Sequence, residues 1–264
     1  MTGLRPSSRR GLEVLDVHPA VTVPEAEYRR LLGYPRQHEP GERADELAAG
    51  ARQWYAAHGR PWIYLREVEL AAGDGLLRID GMEFDSRRLL SQLQQAGAGR
   101  AVLVAVSAGR GCEEHARELW TEGKPDEYYF LESFGSAVVE QLVALANGRL
   151  CDRADRAGLM ALPHYRPGYT GWDIADQGKL FALITRGRMQ PFPEPLEVLS
   201  SGMLRPKKSL LALVGLAART GRAGESVRRT PCASCAFTPC QFRRAPHRPA
   251  NVATARAQPA PSPL

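Results

Sequence analysis

Residues 100–107 (RAVLVAVS) and 209–217 (SLLALVGLA) share one property: inside each, no polar residue alternates with the apolar ones. A strand with one wet face alternates with a period of two, so an unbroken apolar run of this length reads as a strand buried on both faces. Two such strands demand a sheet covered on each side, and the rest of the chain has to supply the cover. WIYLREVEL at 62–70, aromatic and β-branched, reads as a further strand; Gly73-Asp74-Gly75 makes a turn and 76–79 returns as the second arm of a hairpin. EVLDVH at 13–18 alternates as a shorter strand would.

Helical segments lie between these strands. Pro24 opens a short helix that Gly33 ends, and 42–58 is a second helical stretch closed by Gly59 and Pro61. Asp85 is placed to cap a helix reaching about Ala96, and another follows Gly109-Arg110-Gly111 through about Trp120. The longest starts at Pro125-Asp126 and runs to about Asn147. Its Phe130, Leu131, Phe134, Val138, Leu142 and Leu145 step by three or four and form one core-facing stripe. Asp173 is placed to cap a last helix over 174–184. This irregular order predicts an α+β fold, a twisted mixed or antiparallel sheet flanked by helices, and not a regular doubly wound sheet. The single domain spans 13–218, with a flexible arm at 1–12 and a separate tail at 219–264.

At 264 residues, 44% hydrophobic and 24% charged, the chain buries a real core, and global disorder is excluded. No run approaches the ~18 apolar residues of a membrane span. The first ten residues, MTGLRPSSRR, lack the apolar region of a secretory signal, and five cysteines are too few for a disulfide scaffold. A cytoplasmic setting is expected. The net charge of +6 resembles that of a nucleic-acid binder until it is located. From Arg219 onward eight arginines face one acid, Glu225, so the remaining 27 bases meet 28 acids and the body carries −1. A steering field for nucleic acid is therefore missing from the body, and the tail has few stacking aromatics. A solvated disordered arm is the plain reading of the tail; docking onto an acidic protein partner is the functional one.

Three stretches can carry chemistry. HYRPGYTGW at 164–172 is a glycine- and proline-rich loop before a capped helix. Gly168 and Gly171 permit close backbone approach to a planar ligand, Tyr165, Tyr169 and Trp172 offer stacking faces, and Arg166 offers a fork for a carboxylate. The competing reading is a tight structural turn whose aromatics plug the core. GMLRPKKS at 202–209 says locally only that a turn precedes a strand, with Lys207 and Lys208 solvated. CASCAFTPC sets Cys232, Cys235 and Cys240 at the C-x2-C-x4-C spacing of a zinc or iron–sulfur site. His247 is the nearest fourth ligand, Cys112 and Cys151 reach it only through the fold, and free thiols remain the alternative. Glu67 and Glu69, and likewise Glu132 and Glu140 on the long helix, read as water-facing. Gly109-x-Gly111 lacks the further glycine or lysine of a phosphate loop.

Taken in order, the HYRPGYTGW loop, the helix DIADQGKLFALI and the GMLRPKKS turn resemble the activation (reactivation) domain family of vitamin B12-dependent methionine synthase, in its free-standing form. The resemblance extends upstream through residues 101–140, more weakly over 13–218, and CxxCxxxxCxFRR is similar to the ending of some free-standing members. It implies a C-shaped domain that binds S-adenosylmethionine on its concave side and docks over a cobalamin carried by a partner. There, with an electron from a flavodoxin-like or other reductase, cob(II)alamin is methylated back to its active form. No Asp-x-His-x-x-Gly cobalamin motif is present, so the corrinoid belongs to a separate cobalamin-binding methyltransferase, and the chain is a component of that activity rather than a complete enzyme.

The family loop reads Arg-x-x-Pro-Gly-Tyr, its arginine holding the ligand carboxylate. Pro167, Gly168 and Tyr169 match; His164 stands at the arginine position, with Arg166 two residues on. Of the family's Thr-Glu-Ser only Ser201 matches; Pro206, Lys208 and Ser209 match the following turn, and Glu140 falls near a helix the family uses to line its cleft. Two alternatives follow: a degenerate fold kept as a binding module, and a redox partner whose cysteine cluster holds iron and sulfur.

Overall fold

In the computed structural model the described residues are 12–218, apart from Arg36, Asp74 and Gly187. Among them, nine strands and six α-helices follow in the order β1 (Glu13–Asp16), α1 (Glu25–Leu31), α2 (Glu42–His58), β2 (Trp62–Gly73), β3 (Leu76–Ile79), β4 (Met82–Phe84), α3 (Arg87–Gln95), β5 (Ala98–Ser107), α4 (Arg110–Thr121), α5 (Pro125–Arg156) and β6 (Leu159–Ala161), then α6 (Gln177–Arg186), β7 (Glu197–Val198), β8 (Leu204–Arg205) and β9 (Ser209–Ala218). The main sheet runs β4-β3-β2-β5-β9-β6, with β1 also pairing β2, and every pairing is antiparallel. The fold is α+β, as expected; of the two sheet types left open, it is the antiparallel one.

The two unbroken apolar runs are neighbours, β5 and β9, paired from Ala98 opposite Ala217 to Ser107 opposite Ser209. Their even-numbered residues (Val102, Val104, Val106, Leu210, Ala212, Val214) face α1, α2, α4 and α5. Their odd-numbered residues (Ala101, Leu103, Ala105, Leu211, Leu213) face α3, α6 and the loops that join α6 to its neighbours. Each strand thus buries both pleat faces, which is why neither alternates. On the first face Tyr28 and Tyr55 give their hydroxyls to the carbonyls of Phe130 and Ala108, and burial pushes both phenols above the usual tyrosine range.

Several boundaries differ from the expectation. Ser86, not Asp85, caps α3: its Oγ accepts the Leu89 N–H. Asp173 caps a 3-10 turn, Ile174–Asp176, before α6 begins. The long helix continues past Asn147 to Arg156, because Leu150 and Ala154 prolong its buried stripe. Gly148 mimics a terminal glycine, but Gly158, at φ 68°, is the real one.

Gly109 joins β5 to α4 at φ 96° and ψ 144°, a conformation essentially restricted to glycine, and a Cβ there would lie 2.9 Å from the Arg60 carbonyl oxygen. This is the reason for the glycine that a phosphate-loop reading does not need. Gly109→Ala is expected to cost about 3 kcal/mol in urea unfolding.

Candidate functional site

The chain leaves β6 along the outer edge of β9. The Leu162 N–H donates to the Gly215 carbonyl, and Tyr165 and Leu213 exchange both backbone bonds, each at 2.8 Å. The chain then folds back: Gly168 N–H bonds the Trp172 carbonyl at 2.9 Å, and Tyr169 N–H that of Arg166 at 3.1 Å. Gly168 sits at φ 88°, so Pro167-Gly168 makes a turn that a side chain would strain. Ser86 Oγ donates to the Gly171 carbonyl at 2.7 Å, fixing the far end of the loop to the start of α3.

The loop's aromatics divide into two sets. Tyr165 and Trp172 are buried, stacked at 6.2 Å and 9°, with Phe84 edge-on to Trp172 at 5.8 Å. Trp172 Nε1 donates to Asp176 Oδ2 at 3.1 Å, and the Tyr165 hydroxyl to the Thr170 carbonyl. These two rings are core, as the structural-turn reading of the loop has it, and do not offer stacking faces. Tyr169 remains half-buried, with the Arg166 guanidinium 4.8 Å from its ring centroid.

His164 lies between Tyr169 Oη, 3.2 Å from its Nε2, and Asn147 Nδ2, 3.0 Å from its Nδ1. Asn147 belongs to α5. Two polar atoms beside this network are buried without a hydrogen-bond partner, Arg166 Nε and Asn147 Oδ1. Ser136, Glu140 and Asn147 are spaced four and seven residues apart, so Glu140 shares their helical face. Asn147 carried no motif; only its place on that stripe marks it.

Ser201 is at the exposed tip between β7 and β8, its Oγ accepting the Met203 N–H at 3.4 Å. Ile174 brings this tip to the loop: a Cβ on Gly168 would lie 3.3 Å from Ile174 Cδ1, and one on Gly202 3.1 Å from its Cγ1. Ile174 and Met203 leave an exposed apolar margin beside both turns. Sequence reasoning did not single out either.

Lys208 and Ser209, adjacent in sequence, serve opposite faces of β9. Ser209 Oγ is 3.0 Å from Ser107 Oγ, which donates to Glu194 Oε1; Glu194 also accepts from Trp62 Nε1 and the Arg110 N–H. Lys208 Nζ donates to Ser136 Oγ at 2.8 Å and lies 3.0 Å from Glu132 Oε2, and Lys207 Nζ reaches Glu132 Oε1 at 2.9 Å. Lys208 and Glu132 are only 13% and 14% exposed, so the solvated reading of both is corrected. Glu67, 13% exposed and paired with Arg100 at 2.6 Å, is likewise not free in water, whereas Glu69 is exposed.

Cys232, Cys235, Cys240 and His247 lie outside the described residues. Among the described residues no group of three or more His, Cys, Asp or Glu is arranged to hold a metal. Cys112 is buried beneath α5, where a Cβ on Gly135 would lie 2.9 Å from its sulfur. Burial pushes its thiol up to about 12, the wrong direction for a ligand. Among the described residues no helix is long and apolar enough to cross a membrane.

No family model matches the chain, and no curated protein matches it by sequence. Its fold is similar to a solved structure, the MetH reactivation domain bound to AdoHcy, with a TM-score of 0.53 over 80% of each chain at 10% identity.

Proposed function

We propose that residues 13–218 bind S-adenosylmethionine at the outer edge of β9 and present it to a cobalamin held by a separate methyltransferase, supporting reactivation of that enzyme after reduction by a flavodoxin-like or other reductase. The observation that carries this reading is the pair of unpartnered buried atoms, Arg166 Nε and Asn147 Oδ1, flanking the Pro167-Gly168-Tyr169 turn. They occur in a chain whose fold is similar to that of a domain solved with AdoHcy. A buried donor and a buried acceptor without partners are costly, and a zwitterionic ligand satisfies both.

In this reading Arg166 takes the ligand's carboxylate in place of the family arginine, whose position His164 occupies. His164 holds the Tyr169 ring through its hydroxyl, Gly168 lets the backbone approach, and Glu140 and Ser201 border the site from α5 and from the β7–β8 tip. Lys208 and Ser209 fasten β9 rather than touch the ligand. S-adenosylmethionine, when bound, supplies a methyl group on a sulfonium. What these residues contribute is holding and aiming, which turns an encounter between two large molecules into a local event. No proton-transfer group is required of the chain.

A second reading, the fold retained as a binding module without this ligand, is favoured by Tyr165 and Trp172 being consumed by the core. Calorimetric titration separates the two. S-adenosylmethionine and S-adenosylhomocysteine are expected to bind at one site, and Arg166→Ala to weaken both about tenfold or more. No heat at millimolar ligand with folded protein would favour the module.

A further inference from the structure

Farther along β9, at Leu216, a cavity of about 380 Å³ opens between the sheet and the last turns of α5. It shares no lining residue with the site described above. Its floor is apolar, formed by Leu12, Val102, Leu150, Ala154, Leu159 and Leu216, and its polar wall is almost entirely arginine: Arg100, Arg153 and Arg156 against Glu67 alone. The volume lies within the range of small-molecule pockets.

The charge is directed by the helix. Leu150, Arg153 and Ala154 are spaced three and four residues along α5, one face, and line the cavity together with Ala157 just past the helix end; Asp152 and Asp155, in the same turns, do not. Basic residues in a last turn also complement the helix dipole, which accounts for their sign but not for an apolar pocket beneath them. Arg100 already holds a carboxylate, that of Glu67, at 2.6 Å. Arg156 is held through Nε by the Asp152 carbonyl at 3.1 Å. Among the described residues the Arg153 side chain has no hydrogen-bond or ion-pair partner.

We infer that this cavity binds a small amphipathic anion, an apolar body carrying one carboxylate, with the body on the leucine floor and the carboxylate on Arg153. The chain's own termini fit poorly by charge: residues 1–11 contain three arginines and no acid, and the segment from Arg219 carries eight arginines against Glu225. An arginine-rimmed pocket repels both and attracts an acid.

The test titrates the full chain calorimetrically with octanoate, and in parallel with octan-1-ol, which has the body without the charge, and acetate, which has the charge without the body. Octanoate is expected to bind one to one, with the two controls at least about tenfold weaker. Arg153→Ala is expected to weaken octanoate about tenfold and Arg153→Lys to restore part of that loss, both with an unchanged melting temperature because Arg153 is exposed. S-adenosylmethionine is expected not to displace it. Octan-1-ol binding as tightly as octanoate, Arg153→Ala binding as the parent does, or displacement by S-adenosylmethionine would each overturn the assignment. Failure here leaves the proposed function untouched, since the two sites are separate.

Discussion

Replacing Trp172 with alanine is expected to cost about 5 kcal/mol in urea unfolding, enough to empty much of the native population of a domain this size. Two losses combine. The indole is 2% exposed between Tyr165 and Phe84, so truncation leaves a cavity in the second core. Asp176, also buried, loses the Nε1–H that meets its Oδ2, while Lys179 keeps the other oxygen at 2.9 Å. Trp172→Phe keeps most of the ring contact and loses only the donor, so it is expected to cost about 2 kcal/mol. This smaller variant also separates packing from recognition. If Trp172 is core, as its burial requires, Trp172→Phe leaves the affinity for S-adenosylmethionine within about twofold. A tenfold loss would return the ring to the binding site.

Sequence and fold agree wherever burial on both faces leaves no freedom in residue type. β5, β9 and the first half of β2 are legible because their side chains have nowhere polar to point. The strands β4, β6, β7 and β8 were not, since each has two or three residues and is too short for a period to register. What makes them strands is a partner distant in sequence, as when Leu159–Ala161 takes its register from Leu216–Ala218. The end of α5 was misplaced for a related reason. Gly148 has the chemistry of a stop, but Leu150 and Ala154 still need the sheet, and tertiary burial overrides the local signal.

The candidate site divides along the same line. The turn at Pro167-Gly168-Tyr169 was legible because its backbone demands glycine, whatever it binds. The partition of its aromatics was not. Nothing in HYRPGYTGW says that Tyr165 and Trp172 turn inward while Tyr169 stays at the rim; that follows from the bridge to Leu213, which aims residue 165 at the core. Asn147 was invisible because a lone asparagine on a long helix resembles a solvated one until His164 arrives from seventeen residues away.

Glu132 is the sharpest case of a residue whose sequence context conceals its work, and Glu132→Ala is expected to cost about 3 kcal/mol. The carboxylate lies on α5, between two consecutive lysines at the entry to β9, and its removal leaves Lys208 buried with only Ser136 Oγ for a partner. Burial draws the Lys207 ammonium down, but its hydrogen bond to Glu132 and that residue's charge outweigh this and raise it above its ordinary 10.5. A cation raised in the folded state contributes stability below its unfolded value and loses it only above, so the cost of Glu132→Ala is expected to stay level from neutral pH to about 10.5 and to shrink beyond. A double-mutant cycle isolates the pair: in a Lys208→Met background, where no buried ammonium is stranded, Glu132→Ala is expected to cost about 1 kcal/mol, leaving a coupling of about 2 kcal/mol. Two water-facing lysines would give additive losses below about 0.5 kcal/mol each. The difference matters beyond stability, because this ion pair fixes the start of the same strand whose outer edge carries the Tyr165 bridge, and through it the turn proposed to hold the ligand.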